Sequence, residues 1–182
     1  RGFETVTIAN HGAVAHHDSA GNSGVIYPGD IQWMTAASGI LHKEYHEEEF
    51  SKKGGVFQMV QLWVNLPAKD KMSTPKYQGI KKSELQKFTL PNDAGVIEII
   101  AGNYQDKKGS ASTFSPIEMY NARLNNGAKA NFSFPADYNT GMVVIEGKVK
   151  VNGNEIANTD QLIHFKNEGE ETFNLLMKYF HN

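Results

Sequence analysis

The stretch SGILHKEYH, residues 38–46, contains a His and a Glu that could bind one metal ion together. His42 and Glu44 are two residues apart, and side chains at that spacing point to the same face of an extended strand. An imidazole and a carboxylate form a mixed nitrogen and oxygen donor set that suits Fe(II), Mn, Ni, Cu or Zn. The competing interpretation is a solvated pair on a half-exposed strand, which the acidic run at residues 47–49 favours. The spacing alone leaves both interpretations open.

Other kinds of catalytic chemistry find little support in this sequence. The chain has no cysteine, which excludes disulfides, thiolate metal sites and a cysteine nucleophile. No glycine-rich phosphate loop or nucleophile elbow is present. The remaining histidines are isolated or adjoin polar loops, and we expect them to be structural or exposed: His11, His16, His17, His164 and His181.

Length and charge narrow the class of protein further. A chain of 182 residues is long enough for one large domain or two small ones. The formal net charge is −2 and the two arginines, Arg1 and Arg123, form no patch, so direct nucleic-acid binding is not expected. No apolar run approaches the roughly 18 residues that a membrane span needs. The cysteine-free, lysine-rich composition favours the cytoplasm.

Short β-branched segments separated by turns predict an all-β chain. Residues 4–9 (ETVTIA) alternate as a strand does, and residues 12–18 (GAVAHHD) are expected to form its hairpin partner. Residues 54–66 have the composition of a long buried strand, with Leu62 and Val64 on one face. The lysine-rich residues 67–91 read as a connector with at most a short helix around residues 82–87.

Two similar blocks indicate a tandem arrangement. Each block has an aliphatic strand, a Gly-x-Val turn and then an Ile-x-x-x-Asp segment, at residues 26–30 and 156–160. Asn152-Gly153 is a strong tight-turn dipeptide within the second block. Two copies of a small β-barrel would explain this pattern, and chance similarity between strands is the alternative.

The longest recognisable pattern runs through residues 1–44. RGFETVT, PGDIQWMTAASGILHKE and, further on, QLWVNLP resemble the pirin family of the cupin superfamily. The resemblance continues with lower specificity through SPIEMYNARLNNGAKANFSFP and GMVVIEGKVKVNG. It implies tandem cupin barrels, the N-terminal one lacking its first strands: residues 1–102, with a connector at about 67–93, and residues 103–182.

The resemblance also implies a metal site in the N-terminal barrel. In that family three His and one Glu hold a non-haem metal, usually Fe(II), and the GILHxE segment supplies the third His and the Glu. Here these are His42 and Glu44, while a His-x-His pair is expected just before Arg1, outside this chain. Glu4 would share a strand face with that pair. We expect its side chain near the site, where it would accept a hydrogen bond from a metal ligand without binding the metal itself. We expect His11, His16 or His17 to substitute only if the barrel edge moves.

Three functions follow from this resemblance as expectations. The first is a quercetin 2,3-dioxygenase-like enzyme for a small aromatic, flavonol-like substrate, with Glu44 as base and Phe3 and Trp33 stacking on the substrate. The second is a metal- or redox-dependent protein-interaction module of the transcription co-regulator type. The third is an inactive chain, because two of four ligands hold a metal poorly. Open strand edges further predict a homodimer.

Overall fold

The computed structural model describes residues 1–167 and the backbone of residues 172–178; His181 lies outside these residues. The described chain is almost entirely β-structure, which confirms the predicted all-β class. Its first nine strands are β1 (Phe3–His11), β2 (Val14–Asp18), β3 (Ser23–Ile26), β4 (Ile31–Thr35), β5 (His42–His46), β6 (Gln58–Asn65), β7 (Lys76–Ile80), β8 (Gln86–Leu90) and β9 (Gly95–Ala101). The next nine are β10 (Asn103–Tyr104), β11 (Lys107–Lys108), β12 (Met119–Leu124), β13 (Lys129–Ser133), β14 (Gly141–Val143), β15 (Lys148–Val151), β16 (Glu155–Asn158), β17 (Leu162–His164) and β18 (Thr172–Lys178).

A four-stranded antiparallel sheet, ordered β6-β1-β4-β7, carries the first block of sequence. Its one face is the apolar core, where Val6 and Trp33 are completely buried and Leu62 and Val64 pack against them. The predicted strand at residues 4–9 and the shared face of Leu62 and Val64 are therefore confirmed. The alternate residues of β1 and β6 point to the opposite face of the sheet.

A second sheet, ordered β3-β2-β5, holds the segment that contains His42 and Glu44. The expected hairpin between residues 4–9 and 12–18 is wrong, because β2 pairs with β3 and β5 instead. Both edges of β1 are already occupied by β4 and β6, so β2 has no free edge of β1 to join.

One short helix, α1 (Glu48–Lys53), interrupts the strands of the described chain. The Glu47 side chain accepts a hydrogen bond from the Phe50 amide at its start, and Lys52 and Lys53 lie in its last turn, as the helix dipole favours. In the acidic run at residues 47–49, Glu47 thus caps the helix, and Glu48 and Glu49 form its first turn. The connector forms 3₁₀ turns at Ala68–Asp70, Lys82–Glu84 and Pro91–Asp93.

The chain divides into two compact units. The first comprises Arg1–Gln86 and Ile99–Met119, and the second comprises Lys87–Glu98 and the chain from Tyr120 onward. The domain boundary after residue 102 stays a prediction. In the second unit β15 and β16 form the hairpin expected at Asn152-Gly153, and both turn residues have positive φ angles, of 47° and 76°.

The remaining strands form small sheets, ordered β12-β9-β8, β13-β18-β15-β16, β14-β17 and β10-β11. No helix within the described residues is long and apolar enough to cross a membrane.

Candidate metal centre

His42 and Glu44 lie side by side on β5. The Nε2 atom of His42 is 3.4 Å from Oε1 of Glu44, and the two side chains are only 14% and 18% exposed. Neither ring nitrogen of His42 has a hydrogen-bond partner, although both are buried. Strand β5 pairs with β2 so that Asp18 lies opposite His42, and His16 lies opposite Glu44. The two-residue spacing therefore does bring the imidazole and the carboxylate to one face.

Two side chains from the neighbouring four-stranded sheet hold the Glu44 carboxylate. Thr7 Oγ1 on β1 donates to Glu44 Oε1 at 3.0 Å, and Gln61 Nε2 on β6 donates to Oε2 at 2.7 Å. Gln61 Nε2 also donates to Thr7 Oγ1 at 3.1 Å, which closes a triangle of hydrogen bonds. Each carboxylate oxygen of Glu44 thus accepts one hydrogen bond, and the two bonds fix the orientation of the carboxylate.

His16 is completely buried next to this pair. Its ring centre is 5.9 Å from that of His42, and its Nε2 atom forms a 2.9 Å hydrogen bond with the Tyr77 hydroxyl. Gly24 leaves room for this ring, since a Cβ atom there would lie 3.0 Å from His16 Nε2. Burial, together with the nearby His42, lowers the pKa of His16 and favours a neutral ring. Burial raises the pKa of Tyr77, so its hydroxyl keeps its proton at neutral pH.

Glu4 does not join this cluster. Its carboxylate is buried on the core face of the sheet, where it accepts a 2.6 Å hydrogen bond from Thr35 Oγ1. Thr7, which contacts Glu44, points to the other face because it is three residues away along a regular strand. The expectation that Glu4 shares a face with residues before Arg1 assumes a regular strand. Gly2 has a φ of +78°, so the regular alternation of β1 does not extend through it.

The two aromatic residues expected to contact a substrate lie in different places. Trp33 is 0% exposed in the apolar core, on the face opposite Glu44, so it is not accessible for stacking on a ligand. Phe3 stacks on Trp63 with ring centres 4.7 Å apart. Trp63 is 71% exposed, and its indole Nε1 donates to Gln61 Oε1 at 3.3 Å. The accessible tryptophan near the candidate centre is therefore Trp63 rather than Trp33.

The donor chemistry fits a transition-metal ion only in part. An imidazole whose nitrogens have no hydrogen-bond partner, beside a carboxylate, is a suitable pair of ligands for Fe(II), Ni or Zn. Within residues 1–167, however, no group of three or more His, Asp or Glu side chains is arranged to hold a metal ion. Within these residues His42 and Glu44 are therefore a pair of potential donors and not a complete ligand set.

Sequence reasoning missed several residues of this centre. His16 was expected to be structural or exposed, and the structure shows it buried; its spacing of two residues from the buried Val14 on β2 was the available signal for its place beside Glu44. Gln61 is a polar residue within an otherwise apolar stretch, between Val60 and Leu62. Its contact with Glu44 depends on how two separate sheets face each other, which no local pattern encodes.

Comparison with known proteins defines the family. The family model Pirin matches residues 1–64. Several relatives carry the name "Putative quercetin 2,3-dioxygenase", and two of them illustrate the similarity. One, from Pseudomonas aeruginosa, is 48% identical over 162 residues, which cover 89% of this chain and 56% of that protein. The other, from Thermoplasma acidophilum, is 32% identical over 95% of this chain and 71% of that protein. The chain belongs to the pirin family.

Solved structures agree with this membership. A crystal structure of quercetin 2,3-dioxygenase from Acinetobacter baumannii aligns with a TM-score of 0.91 and 44% identity, over 98% of this chain and 62% of that one. The bacterial pirin YhhW from Escherichia coli, solved in complex with nickel(II), aligns with a TM-score of 0.75 and 21% identity, over 98% of this chain and 69% of that one. The latter similarity concerns the fold alone. The chain spans about half the length of the curated relatives it matches, at 56% and 48% for two of them.

Proposed function

We propose that this chain carries half of the metal-binding site of a quercetin 2,3-dioxygenase-type pirin. His42 and Glu44 would hold a divalent transition metal, Fe(II) in the first instance. The observation that supports this most directly concerns the His42 ring. Its two buried nitrogens have no hydrogen-bond partner, and its Nε2 atom lies 3.4 Å from the Glu44 carboxylate. Buried polar groups in native proteins nearly always have a partner, so the free ring nitrogens favour a bound ion there.

The other residues of the centre have definable tasks in such a reaction. A bound metal would supply Lewis-acid polarisation of a substrate oxygen. Glu44 would accept the proton of a flavonol-like hydroxyl, and the hydrogen bonds from Thr7 and Gln61 hold its carboxylate in place. Phe3 and Trp63 offer an aromatic surface that matches a flat substrate.

The chain of 182 residues by itself is expected to hold metal weakly, because two ligands do not complete a transition-metal shell. A version extended by His-x-His directly before Arg1 would supply the two family ligands that this chain lacks. We therefore propose dioxygenase activity for the version that carries the additional His-x-His.

Metal analysis of the two versions tests the assignment. Both would be loaded anaerobically with Fe(II), passed over a desalting column and measured for iron per chain. The extended version should retain close to one equivalent, and its His42→Ala variant should lose most of it. Full retention of iron by that variant would overturn the assignment of His42. Flavonol turnover by the loaded extended version then separates an enzyme from a metal-dependent protein-interaction module.

A further inference from the structure

The hydrogen bonds around Gln61 run in one direction only. The indole N–H of Trp63 can donate but cannot accept, so the atom of Gln61 that faces it must be the carbonyl oxygen Oε1. The amide nitrogen of Gln61 then faces the opposite way, toward Glu44 Oε2 at 2.7 Å and Thr7 Oγ1 at 3.1 Å. The Trp63 indole thus selects one of the two amide orientations of Gln61.

The selected orientation is the one that the Glu44 carboxylate needs. With the amide reversed, the Gln61 oxygen would face a carboxylate oxygen, and two acceptors at about 2.7 Å repel each other. In the observed orientation Glu44 Oε2 receives an N–H donor while Oε1 receives the Thr7 hydroxyl. Each oxygen keeps a further lone pair, and Oε1 is the atom that lies 3.4 Å from His42 Nε2.

The Trp63 ring is itself fixed in place. It stacks on Phe3 with ring centres 4.7 Å apart and planes 19° apart, although it is 71% exposed to solvent. A stacked ring loses rotational freedom, so its N–H points steadily toward Gln61. Trp63 and Gln61 lie two apart on β6, which brings both side chains to the same face of the sheet.

We propose that Trp63 is a positioning residue for Glu44, acting through the Gln61 amide. Its role toward a metal rests on the function proposed above, whereas the hydrogen-bonded connection itself needs no metal. The inference gives a role to an exposed aromatic residue that contacts neither His42 nor Glu44 directly.

The connection can be tested in the metal-free chain by the indole N–H resonances in a ¹⁵N–¹H correlation spectrum. The chain has two tryptophans, and the resonance that disappears in Trp63→Phe identifies Trp63. Glu44→Gln removes the charge at the far end of the network and should shift the Trp63 resonance, while the Trp33 resonance stays in place. In Gln61→Leu the same Glu44→Gln change should shift the Trp63 resonance much less, because the connecting amide is gone.

The controls separate a specific connection from a general loss of structure. Glu155→Gln removes a charge from an exposed position on β16 and should leave both indole resonances unchanged. The Trp33 resonance reports whether each variant keeps its core, and Gln61→Met replaces Gln61→Leu if the latter fails to fold. A Trp63 resonance that ignores Glu44→Gln would overturn the proposal. An equal shift of the Trp63 resonance on Glu44→Gln in the parent and in the Gln61→Leu background would overturn it as well.

A metal titration of the His-x-His-extended version gives a second readout. With Ni(II) as the probe, Gln61→Leu should weaken binding by about 10–100-fold, the range found when a partner of a metal ligand is removed. Trp63→Phe keeps the stacked ring but lacks the N–H, and it should weaken binding to a smaller extent. An unchanged Ni(II) affinity in both variants would contradict positioning. Failure of the unsubstituted version to bind metal would instead contradict the proposed function, while the spectra of the metal-free chain would still decide the connection.

Discussion

The Tyr77 hydroxyl lies 2.9 Å from Nε2 of His16, and this bond joins the sheet β3-β2-β5 to the sheet β6-β1-β4-β7. His16 is on β2 and Tyr77 on β7, 61 residues apart in sequence. Since His16 is completely buried, its ring has no access to water as a substitute partner.

Removing the Tyr77 hydroxyl should therefore destabilise the protein. Tyr77→Phe leaves the buried Nε2 atom of His16 without a partner, which costs about 1–3 kcal/mol of unfolding free energy. Urea denaturation measures the change. Tyr45→Phe is a matched control, because the Tyr45 hydroxyl bonds His17 Nδ1 at 2.7 Å in an exposed position. The control should change the unfolding free energy by less than about 0.5 kcal/mol, and equal losses in the two variants would contradict the prediction.

The Asp30 carboxylate predicts a specific loss of stability in acid. Burial alone would raise its pKa, but hydrogen bonds from the Lys82 amide, the Lys81 ammonium and the Tyr27 amide outweigh it and lower the pKa below its ordinary value of 3.8. The pKa of Asp30 is therefore lower in the folded state than in the unfolded state. The stabilisation is fully present above the unfolded-state value of 3.8 and is lost as the pH falls through the folded-state value.

The corresponding experiment compares unfolding free energies between about pH 6 and pH 3. Asp30→Asn should be less stable than the parent at the upper end, and the difference should shrink toward the lower end. The exposed Asp106 provides the control, since its side chain is 71% accessible and Asp106→Asn should leave the pH dependence of the parent intact. A constant difference between the Asp30→Asn variant and the parent at every pH would refute the assignment.

The two tryptophans should differ strongly in accessibility to a quencher. Trp63 is 71% exposed and Trp33 is 0% exposed. Trp63→Phe leaves only Trp33, whose fluorescence should be blue-shifted and resist acrylamide. The unsubstituted chain should show an additional, readily quenched component. Equal quenching of the two proteins would mean that Trp63 is covered, for instance by a second copy of the chain.

Glu98 should be a stabilising residue of the second unit. It is 3% exposed, it accepts a 2.8 Å hydrogen bond from Asn121 Nδ2, and it lies 3.6 Å from Lys87 Nζ and 3.5 Å from Arg123 Nε. Glu98→Gln keeps the shape but removes the charge that faces both cations. We expect a loss of about 1–3 kcal/mol in thermal or urea unfolding. Asn121→Ala removes one hydrogen-bond donor to Glu98 and should lower the unfolding free energy by less. If Glu98→Gln is as stable as the parent, the two cations remain solvated and the prediction is wrong.

The edge of the four-stranded sheet supports the predicted homodimer. Within the described residues β1 is the only strand that pairs with β6, so the other side of β6 has no strand partner there. Light scattering at high concentration should give the mass of two chains. A single-chain mass at all concentrations would exclude the dimer.

Local sequence patterns determined part of this protein. Spacing by two residues placed His42 and Glu44 on one face, alternating apolar residues defined β1 and β6, and Asn152-Gly153 defined a hairpin, because each of these features depends on neighbouring dihedral angles alone. The resemblance of residues 1–44 to the pirin family indicated the family, which the comparisons with known proteins confirm.

Only the tertiary structure decided which side chains surround that pair. Thr7 and Gln61 reach Glu44 from sequence separations of 37 and 17 residues, and His16 is buried because β2 joins β5 rather than β1. Glu4 lies on the core face because it is two residues from Val6 on the regular strand β1, whereas Thr7 lies on the opposite face. The alternation of side chains along a strand is a local property. Which residues of two sheets contact each other depends on packing across the whole unit, and this packing brings Thr7 and Gln61 to Glu44.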